Sequence, residues 1–268
     1  MHKEFTAQTS DGILLCGRVD APVDPRAVVV IVHGLCEHYG RYNYLTKKFN
    51  EAGYTVYRFD HRGHGRSMGK AVYYADCTQI VADTDLFVEC AAAQNPNLPV
   101  YLVGHSMGGF GAASYGTTFP GKAAGYVLSG AWTRDNRGLT VVDKTLADDA
   151  YLPNGLSGGT CSDPAVCAAY AADPLVAKEI SVGLFRAIHA GQMWLKENAA
   201  SFTDPVILLH GGEDGLVDPK DSLQFFEEIA STNKSMRIYA GLYHEIFNEY
   251  KKDRVIRDTI EWLDDQVK

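Results

Sequence analysis

The segment Val100-Tyr-Leu-Val-Gly-His-Ser-Met-Gly-Gly contains the pattern Gly104-x-Ser106-x-Gly108, directly after an apolar run and directly before a run of small residues. This context is typical of a strand that turns sharply into a helix. Such a turn holds the serine in a strained backbone conformation, and glycines two residues to either side keep side chains from colliding there. The serine hydroxyl then stands exposed above the end of the strand. The pattern therefore predicts that Ser106 is a nucleophile.

An acidic residue suited to orienting a general base follows later in the chain. A serine hydroxyl is a poor nucleophile at neutral pH, so it needs a base and a carboxylate that holds the base in the correct tautomer. In the strand-turn-helix arrangement the acid precedes the histidine, and both follow the serine. The apolar segment 206–209 leads into a glycine-rich loop with Glu213, Asp214 and Asp218. Asp218 directly precedes Pro219, as a helix cap does, so we predict Asp214 as the acid, with Asp218 and Glu213 as alternatives.

The histidine that best fits the role of base is His244. It lies in Ala240-Gly-Leu-Tyr-His-Glu-Ile-Phe, just after the last candidate strand, where a short loop can bring the imidazole over the serine. The other eight histidines precede or adjoin the serine, lie near the terminus or in a predicted helix, or end the acid-bearing strand. They are His33, His38, His61, His64, His105, His2, His189 and His210.

Two backbone N–H groups are predicted to bind the oxyanion that forms when the serine attacks a carbonyl group. In this kind of site one donor is the residue after the nucleophile, and the other lies in the loop after an early strand. The apolar run 28–32 leads into His33-Gly-Leu-Cys-Glu-His. The predicted donors are therefore Leu35 and Met107.

Two further patterns resemble a cofactor site and a metal site but fit neither. Gly63, Gly65 and Gly69 follow a strand, but their spacing is one residue longer than that of a dinucleotide-binding fingerprint. Cys161 and Cys167 are close in sequence, but no second pair accompanies them. We therefore predict no cofactor, no metal site and reduced cysteines.

Apolar, β-branched runs alternate with helix-like segments, which is typical of a mostly parallel sheet covered on both faces. With the strand-serine-helix turn, this pattern predicts the α/β-hydrolase fold, a mostly parallel eight-stranded sheet flanked by helices. Seven strands can be placed, at 13–19, 27–32, 55–59, 100–103, 125–128, 206–209 and 236–239. Helices are predicted near 41–51, 78–94, 107–119, 219–231 and 245–267.

One interval, from Trp132 to about Thr203, has no convincing strand and is predicted to be a mainly helical insertion. It divides the chain into an α/β-hydrolase core, residues 1–131 and 204–268, and an inserted helical lid, residues 132–203. The last helix of the lid, 180–198, carries apolar residues at roughly helical spacing, which is also the pattern of ordinary packing. We predict that Leu184 and Ile188 on this helix line an acyl channel.

The charge of the chain limits its partners. Its 33 acidic and 25 basic side chains give a formal net charge of -8, which disfavours nucleic acid and an anionic membrane as main partners. The first residues lack the apolar core of a signal peptide, and no run is long enough to span a bilayer. We expect a cytoplasmic protein that acts on a small-molecule acyl ester, with at most transient contact between the lid and a membrane surface.

Several segments resemble the monoacylglycerol lipases and lysophospholipases, a family of the serine-hydrolase group that also holds the proline iminopeptidases. These segments are His33-Gly-Leu-Cys-Glu-His-Tyr-Gly-Arg-Tyr, Phe59-Asp-His-Arg-Gly-His-Gly-Arg-Ser, Gly104-His-Ser-Met-Gly-Gly, Gly211-Gly-Glu-Asp-Gly-Leu-Val-Asp and, in the lid, 163–166 and 173–176. The resemblance implies that the lid helices form the acyl channel and that Glu37 and Arg41 shape the polar end of the site for a glycerol head group. Because these two residues are four apart at the head of a helix, an ion pair that only braces the loop is an equally good interpretation.

The sequence thus predicts a serine hydrolase that cleaves esters of the monoacylglycerol or lysophospholipid type through an acyl-enzyme on Ser106. Three residues after His244, where family members often have a second histidine, this chain has Phe247, so a broader carboxylesterase is an alternative. A non-catalytic binding module on the same fold is a further alternative, which the intact set of three residues argues against. An aminopeptidase or amidase would need acidic lid residues to hold a substrate amine, and the candidates are Asp148, Asp149 and Glu179.

Overall fold

The central element of the structure is one eight-stranded sheet. The structure, a computed structural model, describes residues 2–267 apart from the side chain of Ser157. In spatial order the strands are β1 (His2–Gln8), β2 (Leu14–Asp20), β4 (Tyr54–Phe59), β3 (Ala27–Val32), β5 (Val100–His105), β6 (Gly125–Ser129), β9 (Val206–Gly211) and β10 (Lys234–Tyr239). The β1–β2 and β2–β4 pairs are antiparallel, and the other neighbours are parallel. The predicted mostly parallel, eight-stranded sheet is confirmed.

Strand β3 shows how the sequence specifies a layer on each face of this sheet. All six of its residues are apolar and buried. Because successive side chains point to opposite faces, Val28, Val30 and Val32 enter one hydrophobic core, whereas Val29 and Ile31 enter the other. An unbroken apolar run of this kind is what a strand covered on both faces requires.

Helices supply the cover on each face. Within residues 2–267 they are α1 (Asn43–Glu51), α2 (Thr78–Gln94), α3 (Met107–Thr118), α4 (Pro164–Ala172), α5 (Val182–Asn198), α6 (Pro219–Glu228) and α7 (Lys252–Gln266). Phe87 of α2 and Phe110 of α3 pack into the first core, and Phe49 of α1 and Leu263 of α7 pack into the second. None of the helices within this range is both long enough and apolar enough to cross a membrane.

The chain leaves the sheet between β6 and β9. This segment contains α4, α5 and a small antiparallel ladder of β7 (Tyr151–Pro153) with β8 (Glu179–Ser181). The expectation that the interval contains no strand was therefore wrong, because three residues are too few to produce a recognisable alternating pattern. Ser181, the last residue of β8, is also the N-cap of α5, because its hydroxyl accepts a hydrogen bond from the N–H of Leu184 at 3.1 Å.

Two other boundaries differ from the sequence-based prediction. Strand β1 was not among the seven strands placed in the sequence, because it is an edge strand whose residues are mostly polar and exposed. The last helix begins at Lys252 rather than near Glu245, and residues 244–247 form a buried loop instead. This loop carries the predicted base, so the difference bears directly on the site.

Candidate active site

Ser106 lies at the turn between β5 and α3, and its backbone is strained. Its φ of 55° and ψ of -119° lie where non-glycine residues are rarely found. A side chain at Gly108 would place its Cβ 2.1 Å from the carbonyl oxygen of Val32, and one at Gly104 would place it 2.5 Å from the carbonyl oxygen of Gly108. Close backbone contacts therefore require both glycines. The N–H of Ser106 donates to the carbonyl of Ser129 at 3.0 Å, which ties the turn to β6.

The structure brings Asp214 and His244 together in the loops that follow β9 and β10. The Nδ1–H group of His244 donates to Oδ2 of Asp214 at 2.7 Å. His244 and Ser106 line the same cavity. The exposed fractions are 1% for Asp214, 3% for His244 and 9% for Ser106, so all three residues are buried and the serine is the most exposed of them. Because Nδ1 is occupied, Nε2 is the ring nitrogen left to accept a proton.

The Asp214 carboxylate is fully engaged by donors. Its Oδ1 accepts the N–H groups of Leu216 and Val217, both at 2.9 Å, and its Oδ2 lies 3.0 Å from Nε2 of His210. Burial alone would raise the pKa of Asp214, but the charge of His244 and the hydrogen bonds from both imidazoles outweigh burial and hold the pKa well below its usual range. The carboxylate is therefore charged at neutral pH.

The two alternative acids lie elsewhere. Asp218 caps α6, because its carboxylate accepts the N–H of Lys220 at 3.0 Å. Glu213 is exposed to solvent. Of the three acidic residues in this loop, the one in contact with His244 is thus Asp214.

The electrostatic surroundings of His244 favour a base of raised pKa. Burial alone would lower the pKa of His244, but the charge of Asp214 and its hydrogen bond raise it above the usual 6.5. The ring of His105 lies 4.6 Å from that of His244, and burial, followed by the charge of His244, lowers the pKa of His105 to about 4. His105 is therefore neutral at neutral pH and does not compete for the proton.

The loop after β3 carries Leu35, one of the two predicted oxyanion donors. The N–H of Gly34 donates to Oε1 of Glu37 at 2.6 Å, which fixes the loop. The N–H of Leu35 makes no hydrogen bond with another described residue. The N–H of Met107 is the first in α3, where no preceding helical turn supplies an acceptor. Both N–H groups are thus available to a ligand, although the Met107 side chain itself is buried in the core.

Arg41 forms buried ion pairs with two carboxylates, those of Glu37 and Glu245. Nη1 of Arg41 donates to Oε2 of Glu37 at 2.8 Å and to Oε1 of Glu245 at 3.0 Å, and Nη2 donates to Oε2 of Glu245 at 2.8 Å. The hydroxyl of Tyr42 donates to Oε1 of Glu37 at 2.6 Å, and the Arg41 guanidinium lies 4.8 Å from the ring centre of Tyr170. The bracing ion pair therefore exists, and Glu37, Arg41 and Glu245 also line the cavity.

Most of the other side chains around this cavity are apolar. Leu35 and Leu216 come from the loops after β3 and β9, and Trp132, Leu139 and Phe185 come from the segment between β6 and β9. A cavity of this composition, with a few charged groups and the hydroxyl of Ser106, suits a ligand that is mainly hydrocarbon with one polar part.

The structure does not bring Leu184 and Ile188 to this cavity. Both are fully buried in the first core, beneath α5. Phe185, the residue after Leu184, is the residue of this helix that lines the cavity. The apolar spacing that suggested a channel wall is instead the core-facing stripe of α5.

The loop that carries His244 is attached to the segment between β6 and β9. Glu249 is fully buried and accepts hydrogen bonds from the N–H of Tyr243 at 3.0 Å, from the N–H of Ser162 at 2.8 Å and from the hydroxyl of Ser162. The N–H of Glu245 donates to the carbonyl of Thr160 at 2.7 Å. The histidine position therefore depends on contacts with the inserted segment.

Comparison with known proteins agrees with this geometry. The family model described as serine aminopeptidase, S33, matches residues 23–251. A monoacylglycerol lipase of Mycolicibacterium smegmatis is 38% identical over 248 residues, which cover 90% of this chain and 89% of that protein. The chain belongs to this serine hydrolase family. It is a carboxylic ester hydrolase of the α/β-hydrolase fold.

Two solved structures of the family superpose over nearly the whole chain. The monoacylglycerol lipase of Paleococcus ferrophilus has a TM-score of 0.82 and 31% identity, and the match covers 92% of this chain and 98% of that one. A soluble variant of the monoglyceride lipase of Saccharomyces cerevisiae, in complex with a substrate analogue, has a TM-score of 0.89 and 25% identity, with coverage of 99% and 95%.

Glu245 is the main residue at this cavity that the sequence analysis did not predict. Its position directly after His244 was a usable signal, because it lies in the same loop as the predicted base. Phe247, noted as a departure from the family pattern, is buried in the second core and does not line the cavity. Within residues 2–267 no group of three or more His, Cys, Asp or Glu side chains is arranged to hold a metal ion.

Proposed function

We propose that this chain hydrolyses monoacylglycerols or closely similar single-chain lipid esters through an acyl-enzyme on Ser106. The observation that carries the proposal is the 2.7 Å hydrogen bond from His244 to a buried Asp214, beside a cavity that also holds Ser106 at a strained turn. Three relatives with the names monoacylglycerol or monoglyceride lipase support a lipid ester as the substrate. The mostly apolar lining of the cavity suits an acyl chain.

In the proposed mechanism, Nε2 of His244 takes the proton of the Ser106 hydroxyl as its oxygen attacks the ester carbonyl. The oxyanion accepts hydrogen bonds from the N–H groups of Leu35 and Met107. His244 then gives the proton to the leaving alcohol as the ester C–O bond breaks. Water attacks the acyl-enzyme with His244 again as base, which releases the fatty acid and restores the serine. Asp214 keeps the proton on Nδ1 throughout.

We also propose that residues 132–203 act as the lid over this site. The segment supplies Trp132, Leu139 and Phe185 to the cavity wall, and its Ser162 is hydrogen-bonded to Glu249 beside the histidine loop. Substrate size would then be set by this segment, and the chemistry by the residues on the sheet.

An aminopeptidase activity is less well supported, although the family description names one. The predicted amine-binding site would need an acidic lid residue that faces the cavity. The two carboxylates at the cavity, Glu37 and Glu245, lie outside the lid and are paired with Arg41. None of the predicted candidates lines the cavity: Asp149 and Glu179 are exposed, and Asp148 is exposed and paired with Arg186.

Purified protein tests the proposal on a substrate panel. The panel contains 1-monoacylglycerols of increasing acyl length, p-nitrophenyl acetate and aminoacyl p-nitroanilides, with Ser106→Ala as the inactive reference. We expect kcat/KM to rise with acyl length among the monoacylglycerols and to exceed that of every anilide. Faster cleavage of the anilides than of the esters would reassign the protein as an amidase.

A further inference from the structure

The charged side of the cavity carries more negative than positive groups. Six ionisable side chains line it: Glu37, Arg41, His105, Tyr170, His244 and Glu245. Burial raises the pKa of Tyr170, so its hydroxyl is uncharged at neutral pH. Burial lowers the pKa of His105 to about 4, so this ring is neutral at neutral pH. Two carboxylates then face one guanidinium. The excess of negative charge lies in the cavity where the polar part of a substrate would be held.

The protonation state of His244 does not reverse this sign. The ring is in contact with Asp214, whose pKa is held well below its usual range, so a third carboxylate charge lies directly behind the cavity. When His244 is neutral, three carboxylates oppose the charge of Arg41. When His244 is protonated, the carboxylates still outnumber the cations by one.

Arg41 is already paired with two carboxylates. Its two terminal nitrogens donate to Glu37 and Glu245, and its guanidinium packs over the ring of Tyr170 at 4.8 Å. A phosphate group at this guanidinium would have to share it with these two carboxylates. The charge of Arg41 is thus neutralised by its own neighbours.

Of the two carboxylates, Glu245 is the one whose charge can be removed without loosening the loop after β3, which carries the predicted oxyanion donor Leu35. Glu37 holds that loop through the N–H of Gly34 and is also bonded to Tyr42. Glu245 is held by Arg41 and, through Oε2, by the side-chain amide of Asn248 at 2.8 Å. Its carboxylate is thus oriented in the cavity without contacting the loop.

We propose that Glu245 is a specificity-determining residue, which makes the cavity select esters of uncharged alcohols over esters whose alcohol carries a phosphate. This inference rests on the proposed function, because it concerns the alcohol part of the ester that Ser106 cleaves. It divides the single-chain lipid esters by charge: an acylglycerol is accepted, and an acylglycerol phosphate is rejected. The physical cause is the repulsion between the phosphate and the net negative charge of this largely buried group of side chains, to which Glu245 contributes one carboxylate.

Two soluble esters with the same acyl chain test the proposal. 1-Hexanoylglycerol and 1-hexanoylglycerol 3-phosphate share the scissile bond and differ in one phosphate. We expect the kcat/KM of the wild-type protein to be at least about tenfold lower for the phosphate ester, as expected for like charges at short range in a partly buried site. The selectivity ratio is kcat/KM for 1-hexanoylglycerol divided by kcat/KM for the phosphate ester. Glu245→Gln should reduce this ratio by about tenfold, because the substitution removes the charge of the side chain and retains its shape.

Two further variants separate charge from structure. Glu245→Asp keeps the charge and should keep a ratio close to that of the wild type. Glu227→Gln makes the same chemical change on the exposed surface of α6 and should leave the ratio unaltered. The pH profile gives a second readout, because the charge of Glu245 contributes to the raised pKa of His244. Glu245→Gln should therefore move the acidic limb for 1-hexanoylglycerol to lower pH, which a purely structural role would not do.

The outcomes are distinct. Wild-type hydrolysis of the phosphate ester at a rate equal to that of the neutral ester would overturn the proposal, as would the same ratio in Glu245→Gln and Glu227→Gln. If the folded protein cleaves neither of these two esters and no other monoacylglycerol, the proposed function itself is overturned.

Discussion

Replacement of Asp214 by asparagine tests the arrangement of the proposed triad most sharply, because every contact of this carboxylate is with a donor. Oδ1 accepts the N–H groups of Leu216 and Val217, and Oδ2 faces Nδ1 of His244 and Nε2 of His210. Asparagine keeps the shape but offers one acceptor oxygen and one NH₂ donor. In either orientation of the amide, a donor is set against a donor.

The orientation that keeps the two backbone hydrogen bonds turns the amide NH₂ toward His244. Nδ1 must then accept, so the ring proton moves to Nε2, the nitrogen that should receive the proton of Ser106. A wrong tautomer of this kind costs a factor of about 10⁴ in kcat in a comparable triad. At about 1.36 kcal/mol for each factor of ten, this corresponds to about 5.4 kcal/mol of lost transition-state stabilisation. We expect Asp214→Asn to lower kcat by a factor of about 10³–10⁴.

The assay is the release of p-nitrophenol from a short-chain ester, with thermal unfolding followed by circular dichroism to show that each variant is folded. Asp218→Ala is the matched control, since Asp218 lies in the same loop but caps α6. We expect this control to lose about 1 kcal/mol of stability and to keep its turnover. A folded Asp214→Asn protein with more than about a tenth of wild-type kcat would refute the reasoning, and so would an equal loss in the control.

Three further predictions concern the turn, the cavity wall and acid stability. Gly108→Ala should lower the free energy of unfolding by about 1–3 kcal/mol or more, because the new Cβ would lie 2.1 Å from the carbonyl oxygen of Val32. The control is Gly155→Ala, whose Cβ would meet nothing within 4 Å and which should not change the free energy of unfolding. Both are measured by urea denaturation. Phe185→Ala should reduce kcat/KM for an octanoyl ester more than for an acetyl ester. Leu184→Ala should affect both esters alike and lower stability by about 2–5 kcal/mol, measured by the same denaturation. Burial lowers the pKa of His64 from 6.5 to about 4, so below 6.5 the unfolded chain binds a proton that the folded chain does not. Stability should therefore fall as the pH decreases from 6.5 to about 4, and His64→Gln should reduce that fall in denaturation curves measured across this range.

The strained turn at Ser106 and the fold were predictable because their signals are local. The run at 100–109 contains the strand, the turn and the start of the helix in one stretch, and the glycines at 104 and 108 are required by backbone contacts within that same motif and with β3. The loop positions of Asp214 and His244 follow from the order of strands along the chain. Once those strands are parallel neighbours, their carboxyl ends meet at one edge of the sheet.

The parts that sequence analysis missed depend on contacts between distant residues. The role proposed for Glu245 depends on its ion pair with Arg41, which lies 204 positions away. The orientation of the side chains on α5 is a second example. The apolar spacing of this helix shows that one face is buried, but only the packed structure shows that Leu184 faces the core and Phe185 lines the cavity. Strand β1 is a third, because an exposed edge strand does not need apolar residues.

The most direct test of the central claim is the mass of the protein after its nucleophile has reacted with a phosphonylating reagent. Incubation with an activated fluorophosphonate, followed by intact-mass measurement and peptide mapping, reports which residue is the nucleophile. We expect one adduct per chain, located on Ser106, and no adduct in a folded Ser106→Ala variant that has also lost ester hydrolysis. An adduct on another residue, or a folded Ser106→Ala protein that retains more than about a tenth of wild-type turnover, would contradict the account.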